Sequence, residues 1–485
     1  YRKREVAGHT LSPETQMMSY GYDPKLSEMS IKPPVFLTST FAFESAEAGA
    51  AFFRVTLGQA EEGDPEVAGL MYSRFNNPNM EVLEDRLAPY DGAEECCVFS
   101  SGMAAISTTL MGLAHSGSVI LQSTPLYGGT ESLIRKFLPN YGIQSVDFFA
   151  GAHEDEIHAA ADEALAKGEV SVIYTETPTN PTNDQVDLNV CRRLVDLIEK
   201  KQGKRPYLVV DNTFLGPLWQ RPLDQGADIV VYSLTKYVGG HSDLVAGSIA
   251  GAKKWMDPVR MLRNTMGGIC DPNTAWMLMR SLETVELRMS RAGDNAAKVC
   301  DYLANHPKVE GLGYLGMIKD ARQQDIYDRH CKGAGSTFSL LLKGGEAECF
   351  RFLDALKIAK LAVSLGGTET LASHPAAMTH LSVPAERKKA LAIGDNMVRI
   401  SIGCEDADDL IADLQLALWP LERLRAGLIK SIRNSGDETG PSYIGETLAE
   451  LGAALRDDQR LQRQVNRFTR RTAVGVATRY GDQIV

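Results

Sequence analysis

Three segments of the chain carry residues whose types and spacing could do chemistry together. The run Asp228-Ile229-Val230-Val231-Tyr232-Ser233-Leu234-Thr235-Lys236 is apolar until it ends on two hydroxyls and an amine. A lysine at the end of a buried strand is costly unless it is paired or neutral, so its presence there needs a reason. The run Val209-Val210-Asp211-Asn212-Thr213 likewise ends on a carboxylate. Asp and Asn are poor strand formers, so Asp211 is either a strand-end cap or a functional acid. In Phe99-Ser100-Ser101-Gly102-Met103-Ala104-Ala105 an apolar strand passes through small residues into a helical pattern. Small residues let backbone approach a ligand closely, and a fresh helix N-terminus offers unpaired N–H groups to a phosphate.

The elements that must hold these residues follow from the apolar pattern. Short runs rich in β-branched residues lie at 96–99, 118–122, 146–150, 170–176, 207–211, 228–233 and 246–250. Their length suits strands buried on both faces. Helical patterns intervene, notably at 154–167 and 188–201. The alternation predicts an α/β fold with a mostly parallel seven-stranded sheet covered on both sides, and ligands in such sheets collect at the carboxyl ends of the strands. Beyond residue 268 the spacing loosens: helices are expected at 274–297 and 345–356 and strands at 336–342 and 397–402. The expected organisation is an N-terminal arm (1–65), a large domain (66–268), a smaller α+β domain (269–418) and a helical extension (419–485). In the extension, helical stretches are expected at 420–432 and 444–471, the second ending in Arg460, Arg463, Arg467, Arg470 and Arg471. With Asp457 and Asp458 alongside, this cluster reads as a solvated face or subunit contact.

An aspartate and a lysine at the ends of neighbouring strands, beside a phosphate cradle, form the set that pyridoxal 5'-phosphate requires. The lysine carries the cofactor as a Schiff base, the aspartate keeps the pyridine nitrogen protonated, and the helix end takes the phosphate. Competing motifs are weaker. Ser233 and Lys236 have the spacing of a penicillin-binding nucleophile, but the companion motifs are missing. Gly311-Leu312-Gly313-Tyr314-Leu315-Gly316 matches a dinucleotide fingerprint, yet no strong strand precedes it and no clear helix start follows. His374 and His380, with Pro375 between them, are not spaced as a helical metal pair, so no metal is expected, and His241 reads as a turn residue.

The motifs then resemble, in order and over roughly residues 33–418, the Cys/Met-metabolism pyridoxal-phosphate enzymes, a family that includes methionine γ-lyase, cystathionine γ-lyase and γ-synthase, and homoserine sulfhydrylases. The resemblance is carried by Ser233-Leu234-Thr235-Lys236-Tyr237-Val238-Gly239-Gly240-His241-Ser242-Asp243 and by the matches below. It implies the fold-type I aminotransferase-like architecture and a homotetramer built as a dimer of dimers. By this resemblance Lys236 is the Schiff-base lysine and Asp211 the pyridinium partner. Ser101, Gly102 and Met103 match the phosphate loop, with Ser233 and Thr235 as its hydroxyl ligands. Tyr127, in Pro125-Leu126-Tyr127-Gly128-Gly129-Thr130, matches the ring-stacking tyrosine and a candidate proton donor to the leaving group. Asn180, in Glu176-Thr177-Pro178-Thr179-Asn180-Pro181, matches the neighbour of the cofactor's phenolic oxygen. Tyr72 and Arg74 match the pair that reaches a neighbouring subunit's phosphate, Tyr72 also facing substrate. Arg399, in Val398-Arg399-Ile400-Ser401-Ile402-Gly403, matches the fork on the substrate α-carboxylate, helped by Ser364.

The implied activity is removal of the Cα proton of a γ-substituted amino acid, then a Cβ proton, then departure of the Cγ group. Elimination gives 2-oxobutanoate and ammonia; capture of a nucleophile gives γ-replacement. The same residues serve both. Val363, where cystathionine-handling members usually carry glutamate, resembles methionine γ-lyase. Gly129 departs from it, because that branch usually has cysteine there, which leaves O-linked homoserine derivatives open as substrates. Extra residues around 59–66 could reshape the substrate mouth. A cofactor-free relative of the fold would have lost Lys236 or Asp211; neither is lost.

The bulk composition agrees with this reading. The formal net charge of −11 argues against a general nucleic-acid partner. No stretch reaches the ~20 apolar residues of a membrane span. The eight scattered cysteines contain no CxxC pair and read as reduced thiols of a cytoplasmic protein.

Overall fold

Runs of β-branched and aromatic residues form the larger sheet in a computed structural model of the chain, which describes residues 3–65, 69–381 and 383–418. Its strands are β1 (Glu95–Phe99), β2 (Ser118–Thr124), β3 (Gln144–Phe149), β4 (Glu169–Glu176), β5 (Tyr207–Asp211), β6 (Ile229–Tyr232) and β7 (Gly247–Gly251). They lie in the order β1-β7-β6-β5-β4-β2-β3. All pairings are parallel except those of β7, which runs antiparallel to both β1 and β6. The carboxyl ends of β1, β2, β4, β5 and β6 therefore open on one edge, where β7 contributes its first residue, Gly247.

The central strands are buried along nearly their whole length, which explains why they read as continuous apolar runs. Ile173 has no exposed surface, and truncating it to Ala would cost about 2–5 kcal/mol. Flanking helices begin where capping side chains allow. Asp187 accepts from the N–H groups of Asn189 and Val190 to start Leu188–Gln202, which Gly203 ends at φ 77°.

The smaller sheet contains β8 (Val309–Gly313), β9 (Thr337–Leu342), β10 (Lys360–Leu361), β11 (Leu371–Ser373) and β12 (Met397–Ser401), ordered β8-β9-β12-β11-β10. Its apolar face packs on Val285–Ala304, Glu346–Ala355 and Ala407–Leu418. The segment leaving β4 docks on this sheet: Asn183 Nδ2 donates to Gly313 O at 2.6 Å and Thr337 O at 3.1 Å. The carboxyl edge of the large sheet and one end of the small sheet thus meet.

The structure corrects one expectation and adds detail to two. The strand expected at 246–250 is β7, the one antiparallel member, so it enters the site from its amino end. The single helix expected at 274–297 is two, Pro272–Leu282 and Val285–Ala304; at the break Ser281 O accepts from Thr284 N at 3.2 Å and from Arg288 Nη2 at 2.9 Å. The Gly311–Gly316 motif does contain strand, but β8 is an antiparallel strand followed by the short turn Leu315–Met317. A Cβ on Gly313 would lie 2.9 Å from Thr182 O, so that glycine serves packing. In the N-terminal arm, Ala46–Thr56 is helical, while Leu26 and Ile31 are exposed. The extension expected over 419–485, with its helices and arginine cluster, lies outside the described residues.

Candidate active site

Each chemically loaded segment stands at the carboxyl edge because a strand of the large sheet delivers it there. Ser101 caps Gly102–Leu113, its Oγ accepting from the Ala104 N–H at 3.0 Å. The first residue of that helix packs against Ser233. A Cβ on Gly102 would sit 2.7 Å from Ser233 Cβ, and one on Gly247 would sit 2.3 Å from Ser101 O. The backbone approach that small residues permit is therefore used. Met103 lies beside the same turn, its Sδ 3.0 Å from where a Cβ of Gly129 would stand. Ser233 is tied to the neighbouring strand end by its N–H donating to Thr213 Oγ1 at 2.8 Å. The Thr235 hydroxyl donates to Ala246 O at 3.2 Å and accepts from Ala246 N at 3.1 Å.

Asp211 ends β5 almost fully buried. Its carboxylate accepts from Thr213 N at 3.0 Å and from the Tyr174 hydroxyl at 3.2 Å. Burial pushes its pKa up, and the bonds from Thr213 and Tyr174 pull the other way by favouring the anion.

Lys236 follows β6 in a turn, and its Nζ donates to Ser364 Oγ at 2.9 Å. Burial, with the nearby Arg399 cation adding to it, brings the amine down to about 8. Ser364 holds φ at +107°, a conformation that costs a non-glycine residue about 1–3 kcal/mol and persists only when neighbours impose it. Here Arg399 Nη2 donates to Ser364 O at 3.0 Å, while Arg399 Nη1 donates to Asn180 Oδ1 at 3.0 Å. Arg399 lies on β12 of the small sheet and is buried, which lowers its pKa to about 10 and leaves it a cation at neutral pH. Val363 is 59% exposed beside it.

Tyr127, 43% exposed, precedes the short helix Gly128–Ser132. A Cβ on Gly128 would meet Thr379 O at 2.5 Å, so the 374–381 loop packs directly on this turn. The structure thus brings Lys236, Ser364, Arg399 and Asn180 into one bonded group, with Asp211, Ser233 and the Gly102 helix end linked through Thr213 and backbone packing. Tyr72 and Arg74 are not joined to that group by these contacts. The Arg74 guanidinium bonds Asn264 O and lies over the Phe75 ring at 4.3 Å, and Tyr72 is 41% exposed.

Sequence reasoning assigned no role to Glu176, the last residue of β4. It is 3% exposed, Cα-paired with Asp211, and its Oε2 accepts from Tyr127 N at 2.7 Å. The rule that singled out Asp211, a carboxylate ending an apolar run, would have found it. His380 was likewise passed over. It is 1% exposed, its Nδ1 2.9 Å from Thr379 Oγ1, and burial together with Arg399 holds its pKa down at about 4. Among the described residues no group of His, Cys, Asp and Glu could hold a metal ion, His241 Nδ1 lies 2.7 Å from Gly239 O in its turn, and no helix is long and apolar enough to cross a membrane.

A lysine brought near neutrality, a buried carboxyl at a strand end, a helix-end cradle and a buried arginine, on this mostly parallel sheet with a smaller sheet domain, define a pyridoxal-phosphate enzyme of the fold-type I class. The chain belongs to the Cys/Met metabolism PLP-dependent enzyme family, whose profile matches residues 14–419. It is 37% identical to the L-methionine gamma-lyase of Pseudomonas putida over 406 residues, 83% of this chain and 96% of that one. It is 40% identical to the cystathionine gamma-lyase of Bacillus subtilis over 351 residues, 72% of this chain and 89% of that one. Among solved structures, cystathionine gamma synthase from Xanthomonas oryzae pv. oryzae, in complex with aminoacrylate and cysteine, aligns with a TM-score of 0.74 at 31% identity, covering 84% of this chain and 98% of that one. The chain is accordingly a pyridoxal-phosphate enzyme acting on a small amino acid by γ-elimination or γ-replacement.

Proposed function

We propose that the chain eliminates the γ-substituent of an L-amino acid in the manner of a methionine γ-lyase, with methionine or an O- or S-substituted homoserine derivative as substrate. The observation that carries this reading is Val363, an exposed apolar residue beside Ser364 and Arg399. It offers a distal thioether an apolar wall and offers a distal ammonium group no partner. The similarity to methionine γ-lyases supports it.

The residues present fit the cofactor. The glycine contacts at 102 and 247 keep open a cradle that a Cβ would fill, and the Asp211 carboxyl accepts from two donors that favour its anion. Pyridoxal phosphate, when bound, supplies an electron sink for the carbon bearing the substrate amino group. In this reading Lys236 would hold the cofactor, Asp211 would serve its ring nitrogen, and Ser101, Gly102, Met103, Ser233 and Thr235 would hold its phosphate. Arg399 has its fork anchored to Asn180 and Ser364, which aims it at the substrate carboxylate. With its pKa near 8, Lys236 can both accept and return a proton at neutral pH, as a general base and acid must. The Tyr127 hydroxyl, on a ring held by its backbone N–H, protonates the departing group. The large and small domains, meeting near residue 268, supply the two sides of this site.

Tyr72 and Arg74 act on a neighbouring subunit's cofactor phosphate, within a homotetramer. Support comes from the exposure of Tyr72 and from the exposed Leu26 and Ile31 of the arm. The eight free cysteines support a reducing, cytoplasmic setting. A second reading, γ-replacement, is favoured by the likeness to the Xanthomonas synthase. The deciding experiment incubates the holoenzyme with methionine, cystathionine, O-acetylhomoserine or O-succinylhomoserine, with and without cysteine. Release of 2-oxobutanoate from single substrates supports elimination; thioether formed only when cysteine is present overturns it.

A further inference from the structure

The carboxyl edge of the large sheet carries two buried carboxyl groups side by side, and the proposed chemistry uses one. Asp211 and Glu176 are Cα partners on adjacent parallel strands, so their side chains leave the same face of the sheet. Both are nearly inaccessible, at 4% and 3% exposed. Two carboxylates that close in a dry site cannot both ionise cheaply, so one retains a proton. Their partners differ. Asp211 accepts from a backbone N–H and a phenol. Glu176 accepts the N–H of Tyr127 at 2.7 Å and also faces the backbone N–H of Asn180. Both of those residues belong to the site, and Asn180 in turn anchors Arg399 at 3.0 Å.

We propose that Glu176 is a positioning residue: as an uncharged carboxylic acid it fixes the turns bearing Tyr127 and Asn180 and leaves Asp211 the sole anion beneath the cofactor ring. The groups facing Glu176 agree with this assignment. Asp211 on β5 repels a second negative charge, and burial drives the proton onto Glu176 more strongly still. Tyr174, on its own strand, gives its hydroxyl to Asp211. The N–H bonds from Tyr127 and Asn180, and Arg399 from the small sheet, favour the anion, but burial and Asp211 outweigh them; the two described hydrogen bonds of Arg399 go to Asn180 and Ser364. His380, from the 374–381 loop, is kept neutral by burial and by Arg399. A neutral acid keeps the carbonyl oxygen that receives the Tyr127 N–H and adds no charge next to Asp211.

The inference rests on the pyridoxal-phosphate reading of the site but not on the choice of substrate, so its test is read first without turnover. Infrared difference spectra of the holoenzyme at neutral pH, wild type against E176Q, should show the carbonyl stretch of a protonated carboxylic acid in wild type alone. The pH midpoint of the cofactor's visible band should move by less than ~0.3 unit in E176Q, since no charge is removed. In turnover of whichever substrate the product assay identifies, E176A should lower kcat ~10-fold with a smaller change in KM, because the Tyr127 N–H loses its acceptor. E176Q should restore kcat to within ~3-fold of wild type. Loss of no protonated-acid band, or a midpoint shift of a unit or more in E176Q, overturns the assignment. Should E176A fail to fold, the infrared and spectral results for E176Q still decide it.

Discussion

Gly102→Ala tests the phosphate cradle most directly. The added Cβ would stand 2.7 Å from Ser233 Cβ, 2.9 Å from Ser233 Oγ and 3.0 Å from Ser233 Cα. These contacts lie about 1 Å inside the ~3.5–4.0 Å optimum for carbon pairs. Ser233 cannot retreat freely, because its N–H is bonded to Thr213 Oγ1 at 2.8 Å. Forcing one methyl into such a site costs about 1–3 kcal/mol. The displacement falls on the hydroxyl and helix N–H groups proposed to receive phosphate, so a cofactor affinity loss of ~5–150-fold follows from the same energy. Gly112→Ala, in the same helix, is the control. Its Cβ would meet Val259 Cα at 3.4 Å and no atom closer, so it should raise stability by about 0.5–1 kcal/mol through helix propensity. The assay is spectral titration of apoenzyme with pyridoxal phosphate, alongside denaturant midpoints for both variants. If Gly102→Ala binds cofactor as tightly as Gly112→Ala does, the cradle argument is refuted.

Four further outcomes are expected. Lys236→Ala should abolish the visible cofactor band and lower turnover by at least ~10²-fold, as removal of a general base does; a retained band in purified variant would place the cofactor on another amine. Arg399→Lys should raise KM by ~10-fold or more, because one ammonium cannot replace a fork anchored on Asn180 and Ser364, while kcat changes less. Ser364→Gly should trade one property for the other: relief of the +107° φ offsets the greater chain entropy, leaving stability unchanged or improved, while the hydroxyl receiving Lys236 Nζ is lost and turnover falls. Finally, the Lys236 amine sits near 8 in the folded chain against an ordinary 10.5. Between those values the unfolded chain binds more protons, so this lysine penalises apoenzyme stability below pH 8 and the penalty fades as pH rises to 10.5. Melting curves of the apoenzyme against Lys236→Met should converge over that window; parallel curves would refute the depressed amine.

The large sheet was legible because its strands are buried on both faces, and such burial writes itself as short, unbroken apolar runs. The same physics made Lys236 and Asp211 conspicuous, since a charge at the end of such a run is expensive and rarely incidental. Glu176 satisfies the same rule, since it too ends a buried, largely apolar strand on a carboxyl group. The break at 283–284 was hidden: both helices keep one apolar face, and the bond from Arg288 to Ser281 O crosses the break within a single stretch of chain.

Local sequence therefore determined the chemistry-bearing residue types, the helix-end cradle at Gly102 and the alternation that builds the sheet. What it could not carry was any property that depends on neighbours distant along the chain. The antiparallel course of β7 is set by pairing with strands β1 and β6, and it alone brings Gly247 against Ser101. The bond from Lys236 to Ser364 spans 128 positions, and that from Arg399 to Asn180 spans 219. The pKa of an amine, the strain at Ser364 and the proton proposed to reside on Glu176 beside Asp211 are all consequences of desolvation and charge proximity. Those arise only when the two sheets close on one another, because burial is a property of the packed chain and not of any segment within it.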